Sequence, residues 1–281
     1  MIGYAVSPDG EAGLQALLAD PRHGLIGLDF DGTLAPIVAD PRDARAHPGA
    51  GPVLARLAAT VGTLAVITGR PAADAVEYAG LAGIPGILVF GHYGWERWQD
   101  GTLTTPEPLP AVDAARRALP GLLAAAGSPP GADSPPGAAD GAWIEDKGQA
   151  LAVHTRRAAD PEAALERLRA PLTELAASLG LAAEPGRFVI ELRPRDVDKG
   201  STLRALVTQR TSRSAVYVGD DLGDLPAFRA VRDLREEGIP GCAVASGSAE
   251  AAEVAAAADL VVDGPGGVIR LLEAIADSIS A

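Results

Sequence analysis

The sequence predicts an α/β fold, a doubly wound parallel-sheet (Rossmann-like) core with a smaller α+β lid domain inserted into it. Three observations lead there. Short apolar runs ending in glycine or polar residues alternate with helix-like stretches, the pattern of strand–helix–strand crossovers. Between residues 110 and 193 strands follow strands instead. The 281 residues amount to about two ordinary domains.

Residues 24–30, GLIGLDF, form the first run, a buried strand that delivers Asp29 to its C-terminal end. TLAVIT follows, ending at Thr68, and then GILVFG at 86–91, SAVYVGD at 214–220, CAVAS and DLVV. Helical stretches such as PGAGPVLARLAATV and SAEAAEVAAAA lie between them. The core thus comprises residues 1–109 and 194–281, and the insert spans 110–193.

Within the insert, SPPGADSPPGAADG at 128–141 reads as a loop. AWIEDKG and ALAVHTR read as strands joined tightly at Lys147-Gly148-Gln149. A helix follows, with Asp160 as N-cap, Pro161 in the first turn and Gly180 at its end. Its apolar stripe is Leu165, Leu168, Leu172, Leu175 and Leu179, and Pro171 predicts a kink or break. LAAE and RFVIELR complete a β-β-α-β-β set.

Composition removes several function classes. The net charge of -13 argues against nucleic-acid or anionic-membrane binding. Cys242 is the only cysteine, so a disulfide within the chain and a cysteine metal cluster are excluded. The N-terminus has no basic region followed by an apolar run, and no apolar stretch reaches 18 residues, so a cytoplasmic protein is expected. A monomer is favoured. Asn is absent, and 22 of the 24 basic residues are Arg. The two exceptions, Lys147 and Lys199, mark places where a compact ammonium charge is needed in place of a guanidinium fork.

The strongest chemical signal is Asp29-Phe30-Asp31-Gly32-Thr33-Leu34, directly after the first strand. Open α/β sheets bind ligands at such strand ends, and the turn at Gly32 lets both carboxylates converge on one pocket. Three further segments stand at strand or helix ends: Thr68 in V-I-T-G-R with Arg70, Lys199 in Val-Asp-Lys-Gly, and Gly219-Asp220-Asp221 with Asp224.

In this order the four segments resemble the motifs of the haloacid-dehalogenase-type phosphohydrolases. The resemblance implies that Asp29 is a nucleophile forming an aspartyl-phosphate, that Asp31 is the general acid and base, and that Thr68 and Lys199 hold the transferring phosphoryl group. Gly32, Thr33 and Arg70 then belong to substrate binding. A cluster of acids beside a phosphate dianion requires compensation. The implied cofactor is Mg²⁺, held by Asp29, the Asp31 backbone carbonyl, Asp220, Asp221 and Asp224. The segments Gly91-His92-Tyr93-Gly94-Trp95-Glu96, Trp143 to Gly148 with His154, and Val189 to Pro194 resemble the trehalose-6-phosphate phosphatases. They imply a small-molecule sugar-phosphate substrate, with His92, Lys147, His154 and Glu191 recognising the sugar beneath a closing lid, and the last step of trehalose biosynthesis as the reaction. A phosphatase for sucrose phosphate or mannosylglycerate phosphate, and a non-catalytic sugar-phosphate-binding regulator, are the alternatives. The chain departs from the family where Asp-Asp-x-Thr-Asp-Glu reads Asp220-Asp221-Leu222-Gly223-Asp224-Leu225.

Overall fold

In a computed structural model, the described residues are 5–38, 40–107, 109–126, 141–186, 188–195, 197–247 and 252–280. Backbone contacts divide the chain into two units, Met1–Thr105 with Val197–Ala281, and Pro106–Asp196. The expected insert, 110–193, lies just inside the second of these. No helix among the described residues is long and apolar enough to cross a membrane.

The larger unit carries an eight-stranded sheet. Its strands are β1 (Gly24–Leu28), β2 (Thr63–Ile67), β3 (Leu88–Gly91), β4 (Glu96–Gln99), β5 (Thr102–Thr104), β10 (Ser214–Gly219), β11 (Gly241–Gly247) and β12 (Leu260–Asp263). The order is β12-β11-β10-β1-β2-β3-β4-β5, parallel except for the last two strands. The sequence reading passed over the β4–β5 hairpin, although Asp100-Gly101, both with positive φ (48° and 81°), is a strong turn signal.

The parallel strands are apolar on both faces because helices cover both. Ile26, Leu28, Val216 and Val218 pack with α1 (Pro8–Ala19), α2 (Ala50–Thr60), α3 (Ala72–Ala79) and α9 (Gly264–Ser280). Leu25, Ala215 and Tyr217 face the opposite layer, made of α6 (Lys199–Arg210), α7 (Leu225–Glu236) and α8 (Ala252–Ala257). The chain leaves β1 towards β2 on one side and returns to β10 on the other, so the crevice between the C-terminal ends of β1 and β10 is a topological switch point.

The smaller unit has a four-stranded antiparallel sheet, β6 (Trp143–Asp146), β7 (Leu151–His154), β9 (Val189–Pro194) and β8 (Leu181–Gly186), in that order. One face packs Leu151, Val153, Ile190 and Leu192 against α4 (Pro110–Ala126) and α5 (Pro161–Leu179). Helix α4 has no counterpart in the sequence reading. Helix α5 starts at Asp160, whose side chain accepts from the Ala163 N–H at 3.0 Å, and ends at Gly180 in the left-handed region. Of the kink or break expected at Pro171, the break does not occur, and the helix is continuous through it. Proline removes one N–H, and the burial of Leu168 and Leu172 on either side of it outweighs that loss. The buried stripe is Ala164, Leu168, Leu172 and Ala176, flanked by Leu165, Leu175 and Leu179. The proline-rich loop falls almost wholly on 127–140, outside the described residues.

Candidate active site

Asp29 continues the β1 ladder by one residue, its N–H donating to the Val218 carbonyl at 2.9 Å. Beyond it the chain turns. Gly32 has φ +72°, and a Cβ there would lie 1.9 Å from Asp220 Oδ2, so the turn passes the acidic loop after β10 only with glycine. Ser246, at the end of β11, pins this turn by donating to the Gly32 carbonyl at 2.6 Å.

The turn points Asp31 towards Arg70, three residues past β2. Both Asp31 oxygens accept from the guanidinium, at 2.6 Å each. Its remaining arm donates to the Pro41 carbonyl at 2.8 Å, and its Cζ lies 5.4 Å from the ring centres of Phe30 and Tyr78. All three guanidinium nitrogens have a partner, and two of them hold Asp31. Thr68 Oγ1 accepts from the Arg70 N–H at 3.2 Å and keeps its own proton for donation.

Lys199 opens α6 behind a capping box formed by Asp198 and Ser201. Its side chain is 4% exposed, and Nζ meets Asp29 Oδ1 at 2.9 Å and Asp224 Oδ1 at 2.7 Å. Burial opposes the ammonium charge, and the two carboxylates overcome it, holding Lys199 well above its usual value. Asp224 is wholly buried, and its four strongest acceptor positions are filled. Oδ1 takes Lys199 and the Tyr217 hydroxyl at 2.7 Å each, and Oδ2 takes the N–H groups of Asp220 and Asp221 at 3.0 and 3.2 Å. Burial works against its charge, but the Lys199 ammonium and these donors keep Asp224 below the ordinary carboxylate range.

Asp29 and Asp220 are held the other way. Burial pushes the Asp29 carboxyl well above its ordinary value, the neighbouring acids add to the effect, and Lys199 opposes it. Burial, with the charges of Asp224 and Asp221, raises Asp220 to about 8. Asp220 Oδ1 is buried without a hydrogen-bond donor. Asp29, Asp220 and Asp224 offer oxygens within 4.8 Å of one another. Buried, donor-poor carboxylate oxygens at this spacing fit a hard divalent cation. Asp224, with its acceptors filled, stands behind Lys199, while Asp29 and Asp220 have oxygens to spare. Asp221, 66% exposed, lies 4.0 Å from Lys199 at the rim. Thr33 Oγ1 is buried in the same turn without a partner.

His92 follows β3 with φ 48°; its N–H donates to the Arg70 carbonyl at 2.9 Å, and its ring stands 3.7 Å from Glu96. The other expected recognition residues are in the smaller unit. Lys147 donates to Glu191 Oε2 at 2.6 Å, and Glu191 Oε1 is buried without a donor. His154 bonds Glu145 at 2.8 Å and stacks on Trp143, whose ring also lies beneath Arg157 at 4.4 Å. With both faces occupied, Trp143 offers no open platform. Strand register sets Glu191, His154 and Glu145 on one face of the sheet, opposite the helices. The sequence reading missed Tyr217 and Ser246 in the larger unit and Arg116 in the smaller. Tyr217 had one signal, a phenol inside an otherwise aliphatic strand.

A family model described as trehalose-phosphatase matches residues 27–120 and 136–263. The trehalose-phosphate phosphatase of Mycobacterium avium is 36% identical over 272 residues, covering 92% of this chain and 63% of that protein. That of Mycobacterium tuberculosis is 39% identical over 236 residues, covering 78% of this chain and 55% of its own length. The chain therefore spans less than two thirds of these relatives. Among solved structures, the Candida albicans trehalose-6-phosphate phosphatase C-terminal domain aligns with TM-score 0.76, 21% identity and 98% of both chains. The Aspergillus fumigatus trehalose-6-phosphate phosphatase aligns with TM-score 0.68 and 24% identity, covering 98% of this chain and 100% of that one. Both share the fold, a parallel-sheet core with a separate antiparallel cap.

Proposed function

Because this chain belongs to the trehalose-phosphatase family, we propose that it hydrolyses trehalose 6-phosphate to trehalose and phosphate through an aspartyl-phosphate on Asp29. The observation that carries the reading is the buried Asp29–Lys199–Asp224 arrangement at the switch point of the sheet, with a second carboxylate, Asp31, two residues on. Asp29 and Asp220, with the Asp31 carbonyl, would hold Mg²⁺. The ion supplies positive charge that favours the ionised nucleophile and offsets the phosphoryl charge.

The remaining steps use this chain's own groups. The Asp29 oxygen not held by Lys199 attacks phosphorus, forming the acyl-phosphate bond while the bond to the sugar oxygen breaks. Asp31 gives that oxygen its proton. Water then attacks the acyl-phosphate, Asp31 takes the water's proton, and phosphate leaves with Asp29 restored. The paired N–H groups of Arg70 orient Asp31 for both transfers. Lys199 and the Thr68 hydroxyl donate to the phosphoryl oxygens as charge builds on them. Recognition of the sugar falls to the polar sheet face bearing Glu191, Lys147 and His154.

The test is phosphate release from a panel of trehalose 6-phosphate, sucrose 6-phosphate, mannosylglycerate phosphate and p-nitrophenyl phosphate. We expect kcat/KM to be highest for trehalose 6-phosphate, to vanish on chelation and to return with Mg²⁺. A higher value for another sugar phosphate overturns the substrate, and full activity after exhaustive chelation overturns the cation.

A further inference from the structure

We propose that Tyr217 is a positioning residue for the phosphoryl-transfer site, acting through Asp224 on Lys199; this rests on the phosphatase reading above. Tyr217 is fully buried in β10, on the sheet face covered by α6 and α7. Its hydroxyl donates to Asp224 Oδ1 at 2.7 Å, the same oxygen that receives Lys199 Nζ at 2.7 Å. Lys199 in turn is 2.9 Å from the nucleophile. One carboxylate oxygen thus ties the phenol and the ammonium together, one bond removed from Asp29.

The neighbours are arranged to let the phenol reach. Gly27 is its partner across the β1–β10 ladder, and a Cβ on Gly27 would lie 2.8 Å from Tyr217 Cδ2. The ring therefore lies over the bare glycine, with Phe228 edge-on to it at 6.2 Å and 72°. A phenylalanine would fill this space equally well. What the hydroxyl adds is the fourth of the donors on Asp224, two of which, the N–H groups of Asp220 and Asp221, belong to the acidic loop itself. Without it Oδ1 has only Lys199, and the carboxylate can rotate and draw the ammonium away from Asp29. The hydroxyl fixes the distance between nucleophile and ammonium, which affects the transition state and leaves sugar binding untouched.

The experiment compares Tyr217→Phe with the packing control Phe228→Leu in the full chain, on trehalose 6-phosphate and p-nitrophenyl phosphate, with thermal unfolding alongside. For Tyr217→Phe we expect kcat to fall about tenfold on both substrates at unchanged KM, the order of one hydrogen bond to a charged group. Phe228→Leu should lower the unfolding midpoint and leave kcat within twofold of wild type. Equal losses on the two substrates place the effect at the nucleophile, because the aryl leaving group needs no protonation. A folded Tyr217→Phe enzyme with kcat within twofold of wild type, or a loss confined to KM, overturns the inference alone. A wild-type enzyme that releases phosphate from no substrate overturns the functional reading and this inference with it.

Discussion

Lys199 in the larger unit and Lys147 in the smaller each hold a carboxylate at hydrogen-bond distance, 2.7 and 2.6 Å, but the two pairs live in different surroundings. Lys199 is enclosed at 4% exposure between two carboxylates, and Asp224 has its own further donors. Lys147 is 19% exposed against Glu191 at 9%, and one Glu191 oxygen has no donor at all. An ammonium held between two buried carboxylates keeps those partners when a ligand arrives; it offers a fixed charge and its remaining N–H to chemistry that takes place beside it. A pair with an open acceptor and a partly exposed lysine can exchange its bonds for sugar hydroxyls at little net cost. On the proposed function, the chain's only two lysines divide between preorganised catalysis and exchangeable recognition.

The comparison breaks most readily at Lys199. Replacing it by Met leaves Asp29 and Asp224 buried without their cation, and removing one partner of a buried pair costs about 3–5 kcal/mol. We expect kcat to fall about a thousandfold on sugar and aryl phosphates alike, with an unfolding midpoint lower by roughly 8–15 °C. If Lys199→Met unfolded within 2 °C of wild type, the site would be far less tightly organised than its geometry implies.

How much of this was legible in the sequence follows from how local each interaction is. The turn at Asp29 to Thr33 could be read because strand, carboxylates and glycine are adjacent, and glycine at a strand end has few other uses. Asp160 and Gly180 announced the ends of α5 for the same reason. The pairing of Arg70 with Asp31 is invisible in the sequence because the two lie 39 positions apart, and a guanidinium beside a phosphate motif suggests an anion contact. Tyr217 was absorbed into an apolar strand, since its function depends on Gly27 from another strand and on Asp224 beyond a turn. At Pro171 local propensity predicts a kink or break, and the burial of Leu168 and Leu172 keeps the helix continuous there.

A smaller effect should follow at the other lysine. Lys147→Met and Glu191→Ala should each lower kcat/KM for trehalose 6-phosphate by about ten- to thirtyfold, since each removes bonds that involve a charged group. Stability should fall by only about 1–2 kcal/mol, because the pair is partly solvated. The aryl phosphate has no sugar and should be turned over within twofold of wild type. Equal losses on both substrates would show that the pair supports the unit's fold and not recognition.

The smallest expected effect tests whether exchangeable pairs still need a rigid mount. Lys147 sits on the tight turn between β6 and β7, and Arg116 of α4 grips that turn from outside. Its guanidinium donates to Asp146 at 2.5 and 3.1 Å and to the Gly148 carbonyl at 2.8 Å, with Asp113 beside it. Asp146 also accepts from the Gly148 N–H at 2.8 Å. Arg116→Gln should therefore raise KM for trehalose 6-phosphate about two- to fivefold and leave kcat within twofold, through a loosened Lys147. Acidity supplies an independent check. The hydrogen bond from Arg116 holds Asp146 below the usual carboxylate range, against slight burial. A depressed folded value means that the contribution to stability is complete above the unfolded carboxyl value and is lost as pH falls through the folded one. The gap in unfolding midpoint between wild type and Arg116→Gln should thus be constant above about pH 5 and narrow towards about pH 3. A gap that stayed constant over that range would mean that Arg116 supports the turn through the Gly148 carbonyl alone, with no contribution from Asp146.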